Sequence, residues 1–235
     1  MNEAEGSPTN SLVAAAHELK TPLLLMRQLS MQLAMTDDPV KQSQTIERIR
    51  LTSEKSLRLV DTLTKSARLD DAMFELEPVH LVGLCKEVVD ELFPLTSAFN
   101  QKLLFQDKSR SAVVVGNREL IRSLLMGLID NAVQYDSESD VIEVSTRISR
   151  QQVSLSVRDH GPTIDLAEFR KIRESLGKAK LPISARPLSS GLGLMIAGKF
   201  VSAMSGELSL TRHRSGGMTF TANLPISRQL SLLEE

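Results

Sequence analysis

Along the first third of the chain, apolar positions recur in alternating steps of four and three. Leu12, Ala16, Leu19, Leu23, Met26, Ser30 and Leu33 keep this rhythm with one polar exception, and Ile46, Ile49, Ser53, Ser56, Val60, Leu63 and Ala67 repeat it. The spacing is that of a coiled-coil seam. No glycine falls between Ser11 and Leu69, and the only prolines there are Pro22 and Pro39. Two long helices are therefore expected, joined at Thr36-Asp37-Asp38-Pro39. A single antiparallel hairpin cannot cover both stripes, and a second copy is the simplest cover, so the pattern predicts a dimeric four-helix bundle.

After Asp70 the texture becomes mixed. Short β-branched or alternating runs predict strands at Phe74 to Leu81, Lys102 to Asp107, Ala112 to Val115, Val141 to Ser149, Gln152 to Asp159, Glu207 to Arg212 and Met218 to Leu224. Helical patterns lie between them at Val82 to Phe99, Asn117 to Tyr135, Asp165 to Leu176 and Leu192 to Met204. The fold class expected is α followed by α+β: a helical hairpin, then an α/β sandwich whose sheet is covered on one face by helices. The divisions are a disordered tail over 1–10, the hairpin over 11–70, the sandwich over 71–227 and a second tail over 228–235.

Composition narrows the choice of function. In 235 residues the net charge is -1, aromatic residues are 3% and tryptophan is absent. A basic field and base-stacking platforms are both missing, so nucleic acid is not an expected partner. With Cys85 as the only cysteine, neither an intrachain disulfide nor a thiolate metal cage can form. No apolar run approaches a membrane span, and the start MNEAEGSPTN is unlike a signal peptide. The expectation is a cytoplasmic protein without direct membrane insertion, reaching a membrane only through a partner or in a longer native form.

Four motifs carry chemistry. His17-Glu18-Leu19-Lys20-Thr21-Pro22-Leu23 lies on the first helix, with His17 and Thr21 one turn apart and His17 off the seam. An exposed imidazole can serve as a nucleophile near neutral pH. Pro22 cannot donate to the carbonyl of Glu18, which should bend the helix there. Leu128-Ile129-Asp130-Asn131-Ala132-Val133-Gln134-Tyr135 ends the helix expected from Asn117. Asp159-His160-Gly161-Pro162-Thr163-Ile164 follows a strand, and Gly191-Leu192-Gly193-Leu194 opens the last helix, where small residues let a helix N-terminus approach phosphate.

In this order the motifs resemble the sensor histidine kinases of two-component systems, from about Ser11 to Ile226. The heptapeptide looks like the phosphoacceptor box, and the others look like the N-box and two glycine boxes of a GHKL, or Bergerat-type, ATP-binding domain. The resemblance implies that residues 11–70 form the dimerisation and phosphotransfer domain and 71–227 the catalytic ATP-binding domain. It also assigns roles: His17 as phosphoacceptor, Glu18 as the acid orienting it, and Thr21 as the residue positioning water for dephosphorylation. Asn131 would be the Mg ligand, a carboxamide oxygen suiting a hard cation. Asp159 would bind the adenine amino group, with Tyr135, Gly161, Gly191, Leu192, Gly193 and Leu194 completing the ATP site. A lid is expected over 177–190, with Lys178, Lys180 and Arg186. Three positions depart from the pattern: Gly127 replaces a common Asn, Gln134 a basic residue, and Thr163 a glycine.

The activity implied is autophosphorylation of His17 from Mg-ATP, followed by transfer to an aspartate on a response regulator receiver domain. Expected partners are a second copy of the chain, that regulator, and an upstream sensor or input protein. Two rivals accompany this reading: a phosphotransfer scaffold with a degenerate ATP domain, favoured by the three departures, and a phosphatase acting through Thr21.

Overall fold

The computed structural model describes residues 8–69, 74–98, 100–108, 112–135, 141–149, 151–176 and 192–227. Helices α1 (Pro8–Ala34) and α2 (Pro39–Leu69) form the antiparallel hairpin. Helix α1 begins at Pro8, inside the stretch expected to be a disordered tail. The turn is closed by Asp38, whose Oδ1 accepts from the amides of Val40 (3.0 Å) and Lys41 (3.4 Å). Pro39 occupies the first helical position, where its missing N–H leaves no bond unmade.

The seam of α1 keeps Leu19, Met26 and Leu33 as the sequence suggested but lies one residue earlier at the positions between them. Ala15 and Leu29 are buried, and Leu19, Pro22, Met26 and Leu33 are half-buried on the same line. Ala16, Leu23 and Ser30 face outward. On α2, Leu51 and Ser66 are the buried positions, while Ile46 and Val60 are exposed. Leu24, Met31 and Leu57 remain 51%, 58% and 66% exposed, so one hairpin leaves a large part of its apolar surface uncovered.

The second part begins with β1 (Glu77–His80), α3 (Leu81–Ala98), β2 (Lys102–Lys108), β3 (Val113–Gly116) and α4 (Arg118–Tyr135). It continues with β4 (Val141–Ile148), β5 (Gln152–Arg158), α5 (Leu166–Ser175), α6 (Leu192–Ala203), β6 (Glu207–Arg212) and β7 (Met218–Pro225). A five-stranded sheet has the order β2-β4-β5-β7-β6, with β2 parallel to β4 and the other pairs antiparallel. A separate ribbon pairs β1 with β3. The strand expected from Phe74 is shorter, because Leu81 already starts α3 and donates its amide to the carbonyl of Ala112 at 2.9 Å.

Alternation along the strands decides which face is covered. Val153, Leu155 and Val157 on β5 and Phe220, Ala222 and Leu224 on β7 are buried, while Ser154, Ser156, Thr219, Thr221 and Asn223 lie on the other face. The apolar face lies in one core with Leu84 and Leu92 of α3, Leu120 to Ile129 of α4, and Ile196 and Phe200 of α6. Asn117 caps α4, its Oδ1 accepting from the amides of Glu119 (3.0 Å) and Leu120 (3.1 Å). Asp165 caps α5.

The two parts meet along one side of the hairpin, where α2 faces α4 and α6 and α1 touches α6. Lys65 Nζ reaches Glu119 Oε2 and Ser123 Oγ on α4, both at 3.0 Å, and Asp61 Oδ2 on its own helix at 2.8 Å. Arg58 reaches Asp130 Oδ1 at 3.4 Å.

Candidate functional site

His17 projects from α1 into solvent, as its position off the seam predicts. Thr21 is also exposed, and its hydroxyl donates to the carbonyl of His17 at 3.4 Å. Glu18 is half-buried between them in sequence. Pro22 sits within α1, which continues as helix to Ala34. The carbonyl of Glu18 lacks its usual i+4 donor there, so a soft point in the backbone hydrogen bonding lies one turn from the imidazole.

In the sandwich, Asn131 is half-buried in the last turns of α4. It faces the first turn of α6: a Cβ built on Gly193 would lie 3.9 Å from both Oδ1 and Nδ2 of Asn131. The N-box and the second glycine box, some sixty residues apart in sequence, are thus one structural feature. Leu192 beside Gly193 is buried and Leu194 is half-buried, so the apolar pair anchors α6 while Gly193 remains exposed. Gly191 and the lid expected over 177–190 lie outside the described residues, as do the side chains of Gln134 and Tyr135.

Asp159 follows β5 and is 5% exposed. Its Oδ1 accepts from the amides of Gly161 (3.2 Å) and Met218 (3.1 Å), and its own amide donates to the carbonyl of Met218 at 3.0 Å. A buried carboxylate needs such donors. Both amides converge on this one oxygen and fix its position.

Two residues that the sequence analysis did not single out help build this loop. Gly217 has φ of +73°, and a Cβ there would overlap the carbonyl oxygen of Asp159. Gly216 has φ of +100°, and its Cβ would come within 2.7 Å of the carbonyl oxygen of Gly161. The β6–β7 turn therefore presses backbone against backbone behind Asp159, which only glycine permits. Their signal was the Ser215-Gly216-Gly217 run between two strands, which by itself marks only a turn.

His160 points to the open face of the sheet, its Nε2 2.7 Å from Glu143 Oε1, while Glu143 Oε2 accepts from Gln106 at 3.3 Å. His213 stands nearby in charge terms. Burial pushes its pKa below the ordinary value, and the Arg158 cation acts in the same direction. Phe169 on α5 is half-buried, with the guanidinium of Arg173 5.7 Å from its ring centre.

Among the described residues, no group of three or more His, Cys, Asp or Glu side chains could hold a metal ion. A cation at Asn131 would thus need most of its oxygen ligands from elsewhere, which fits a hard ion arriving with phosphates and water. The space left by Gly193 opposite the carboxamide is consistent with that fit.

With this geometry in hand, comparison with known proteins is specific. Residues 116–228 match the family described as histidine kinase-, DNA gyrase B-, and HSP90-like ATPase. Sensor protein CutS of Streptomyces coelicolor is 29% identical over 214 residues, covering 90% of this chain and 51% of that protein. Over most of its length the chain is similar to sensor histidine kinases, and its second part is similar to their GHKL-type ATPase domain. Sensor protein kinase PmrB of Pseudomonas aeruginosa is 27% identical, covering 90% of this chain and 44% of its own. Among solved structures, the Acinetobacter baumannii histidine kinase AdeS covers 90% of this chain and 98% of its own, at a TM-score of 0.60 and 20% identity. That likeness extends the kinase fold over hairpin and sandwich together. The chain spans about half the length of the curated relatives it matches. Among the described residues, no helix is long and apolar enough to cross a membrane.

Proposed function

We propose that the chain acts as a protein-histidine kinase core, autophosphorylating His17 from Mg-ATP. The observation that carries this reading is the apposition of Asn131 and Gly193 beside a helix N-terminus, with no other described side chain between them. Asp159, buried and oriented by two amides, supplies a fixed acceptor of the kind an adenine amino group requires. Asn131 would hold Mg, which would help neutralise the charge on the phosphates. Gly161, Gly191, Leu192, Leu194 and Tyr135 would belong to the same site by motif.

Phosphoryl transfer depends on in-line approach and charge neutralisation more than on covalent help. A ring nitrogen of His17 attacks the γ-phosphorus, the new N–P bond forms, the bond to the bridging oxygen breaks and ADP departs. Glu18 orients the ring through its other nitrogen. The phosphoramidate then passes to an aspartate of a response regulator receiver domain docking on the hairpin, and Thr21 positions water for the reverse loss of phosphate from that regulator. Exposed Leu24, Met31 and Leu57 support a homodimer through a four-helix bundle. Input reaches the hairpin from a sensor, on a partner or on a longer form of the chain.

The test is incorporation of labelled γ-phosphate. Wild-type protein should become acid-labile and base-stable in its label, and His17→Gln should lose the label while binding Mg-ATP with unchanged affinity. Label retained by His17→Gln would reject the assignment.

A further inference from the structure

The proposed reaction requires the nucleotide site to stand at the height of His17 along the hairpin, and the contacts between the two parts suggest how that height is set. In an antiparallel hairpin, residues equally far from the turn lie side by side. His17 stands about 26 Å of helix before the end of α1, and Arg58 about 29 Å after the start of α2. The two are thus level to within about one turn of helix. Arg58 also reaches across to α4, where its guanidinium meets Asp130, the immediate neighbour of Asn131.

A second contact fixes the direction of α4. Lys65, two turns beyond Arg58, reaches Glu119 and Ser123, about two to three turns before Asp130. The helices therefore run antiparallel, pinned at two points. Lys65 is well satisfied, with three oxygen partners for its three protons. Arg58 is not: its bond to Asp130 is 3.4 Å long and, among the described residues, its buried Nε has no hydrogen-bond partner. Its side chain and that of Asp130 are only 22% and 16% exposed. A desolvated pair with an unmet donor adds little net stability, because loss of hydration offsets the attraction. Its contribution is then better sought in geometry.

Resting on the kinase reading above, we propose that Arg58 is a positioning residue for phosphoryl transfer. Through Asp130 it seats the C-terminal turns of α4, and with them Asn131, beside the hairpin at the level of His17. It need not touch nucleotide. Lys65 supplies the fixed pivot, and Arg58 the contact that selects the productive height.

A charge exchange tests this. Three variants are compared with wild type: Arg58→Glu, Asp130→Arg, and the swapped pair Arg58→Asp with Asp130→Arg. Mg-ATP affinity, the maximal autophosphorylation rate and hydrogen exchange of the α2 amides from 58 to 65 are measured for each. Each single variant should lose at least tenfold in rate with nucleotide affinity within twofold of wild type, and its α2 amides should exchange faster. The swapped pair should recover most of the rate and protection. Unchanged rate and exchange in the single variants, or a swap that restores neither, would overturn the proposal. The exchange readout needs no phosphorylation: wild-type protein that never gains phosphate would refute the kinase reading, while the bridge would still be tested.

Discussion

The carboxamide of Asn131 faces the backbone of Gly193 across a gap that contains no other side chain among the described residues. A methyl group at 193 would make ordinary contact, but a branched side chain would fill the space a phosphate requires. Gly193→Val should therefore weaken Mg-ATP binding by at least about tenfold, equivalent to about 1.4 kcal/mol. Asn131→Ala should do the same by removing the metal ligand. Titration calorimetry reads both, and equal binding by both variants would remove the site from this corner of the sandwich.

Gly127 offers a complementary gain. It lies within α4, and a Cβ there would meet nothing within 4 Å among the described residues. Glycine inside a helix costs about 1 kcal/mol relative to alanine. Gly127→Ala should raise stability by about 0.5–1 kcal/mol in chemical denaturation. Gly127→Asn, which restores the group common at this position in the resembling family, should raise the autophosphorylation rate without loss of fold.

Gly217 should tolerate nothing larger. Its positive φ and the overlap of any Cβ with the Asp159 carbonyl act together, so Gly217→Ala should cost about 2–4 kcal/mol. A urea midpoint close to wild type would show that the turn can move away from Asp159.

His213 gives the protein an acid-sensitive element. Its pKa is lowered in the fold by burial and by Arg158, so the unfolded chain takes up the proton first as pH falls. The contribution is complete above the ordinary value of 6.5 and is lost as pH falls from there through the lowered folded value. His213→Gln should flatten the decline in the urea midpoint between about pH 7 and 5, keeping a partner for the Thr219 hydroxyl that His213 now meets at 2.7 Å.

Cys85 should be silent in the native state. Burial, with the Asp107 carboxylate adding to it, pushes its thiol up to about 12. Thiolate is the reactive form, so an aromatic disulfide reagent at pH 8 should label Cys85 only at the rate of unfolding. Rapid labelling of folded protein would mean that α3 opens locally.

Much of this architecture is legible in the sequence because alternation survives in the strands. Val153, Leu155 and Val157 alternate with serines, and their burial follows directly. The hairpin was legible in kind but only partly in register. Ala14, Ala15 and Ala16 are all small, and Leu23, Leu24 and Leu25 are all apolar, so adjacent registers fit the four-three rhythm equally well. Tertiary packing chose Ala15, Pro22 and Leu29. The motif residues Asn131, Asp159 and Gly193 could be named, but their mutual placement could not. Arg58 and Asp130 are 72 residues apart, and a single cross-chain ion pair leaves no periodic trace. Gly217 was hidden for a different reason: a turn glycine and a glycine forced by a neighbouring carbonyl look alike in sequence.

The outward-facing leucines and methionines of α1 and α2 give the two halves of the molecule different thermodynamic dependences. The sandwich buries its own core and should melt at a temperature indifferent to dilution. In the proposed dimer the hairpin would rely on a second copy for part of its burial, so its melting temperature should fall as the protein is diluted. A calorimetric scan repeated over a hundredfold range of protein should show one transition that drifts and one that stays.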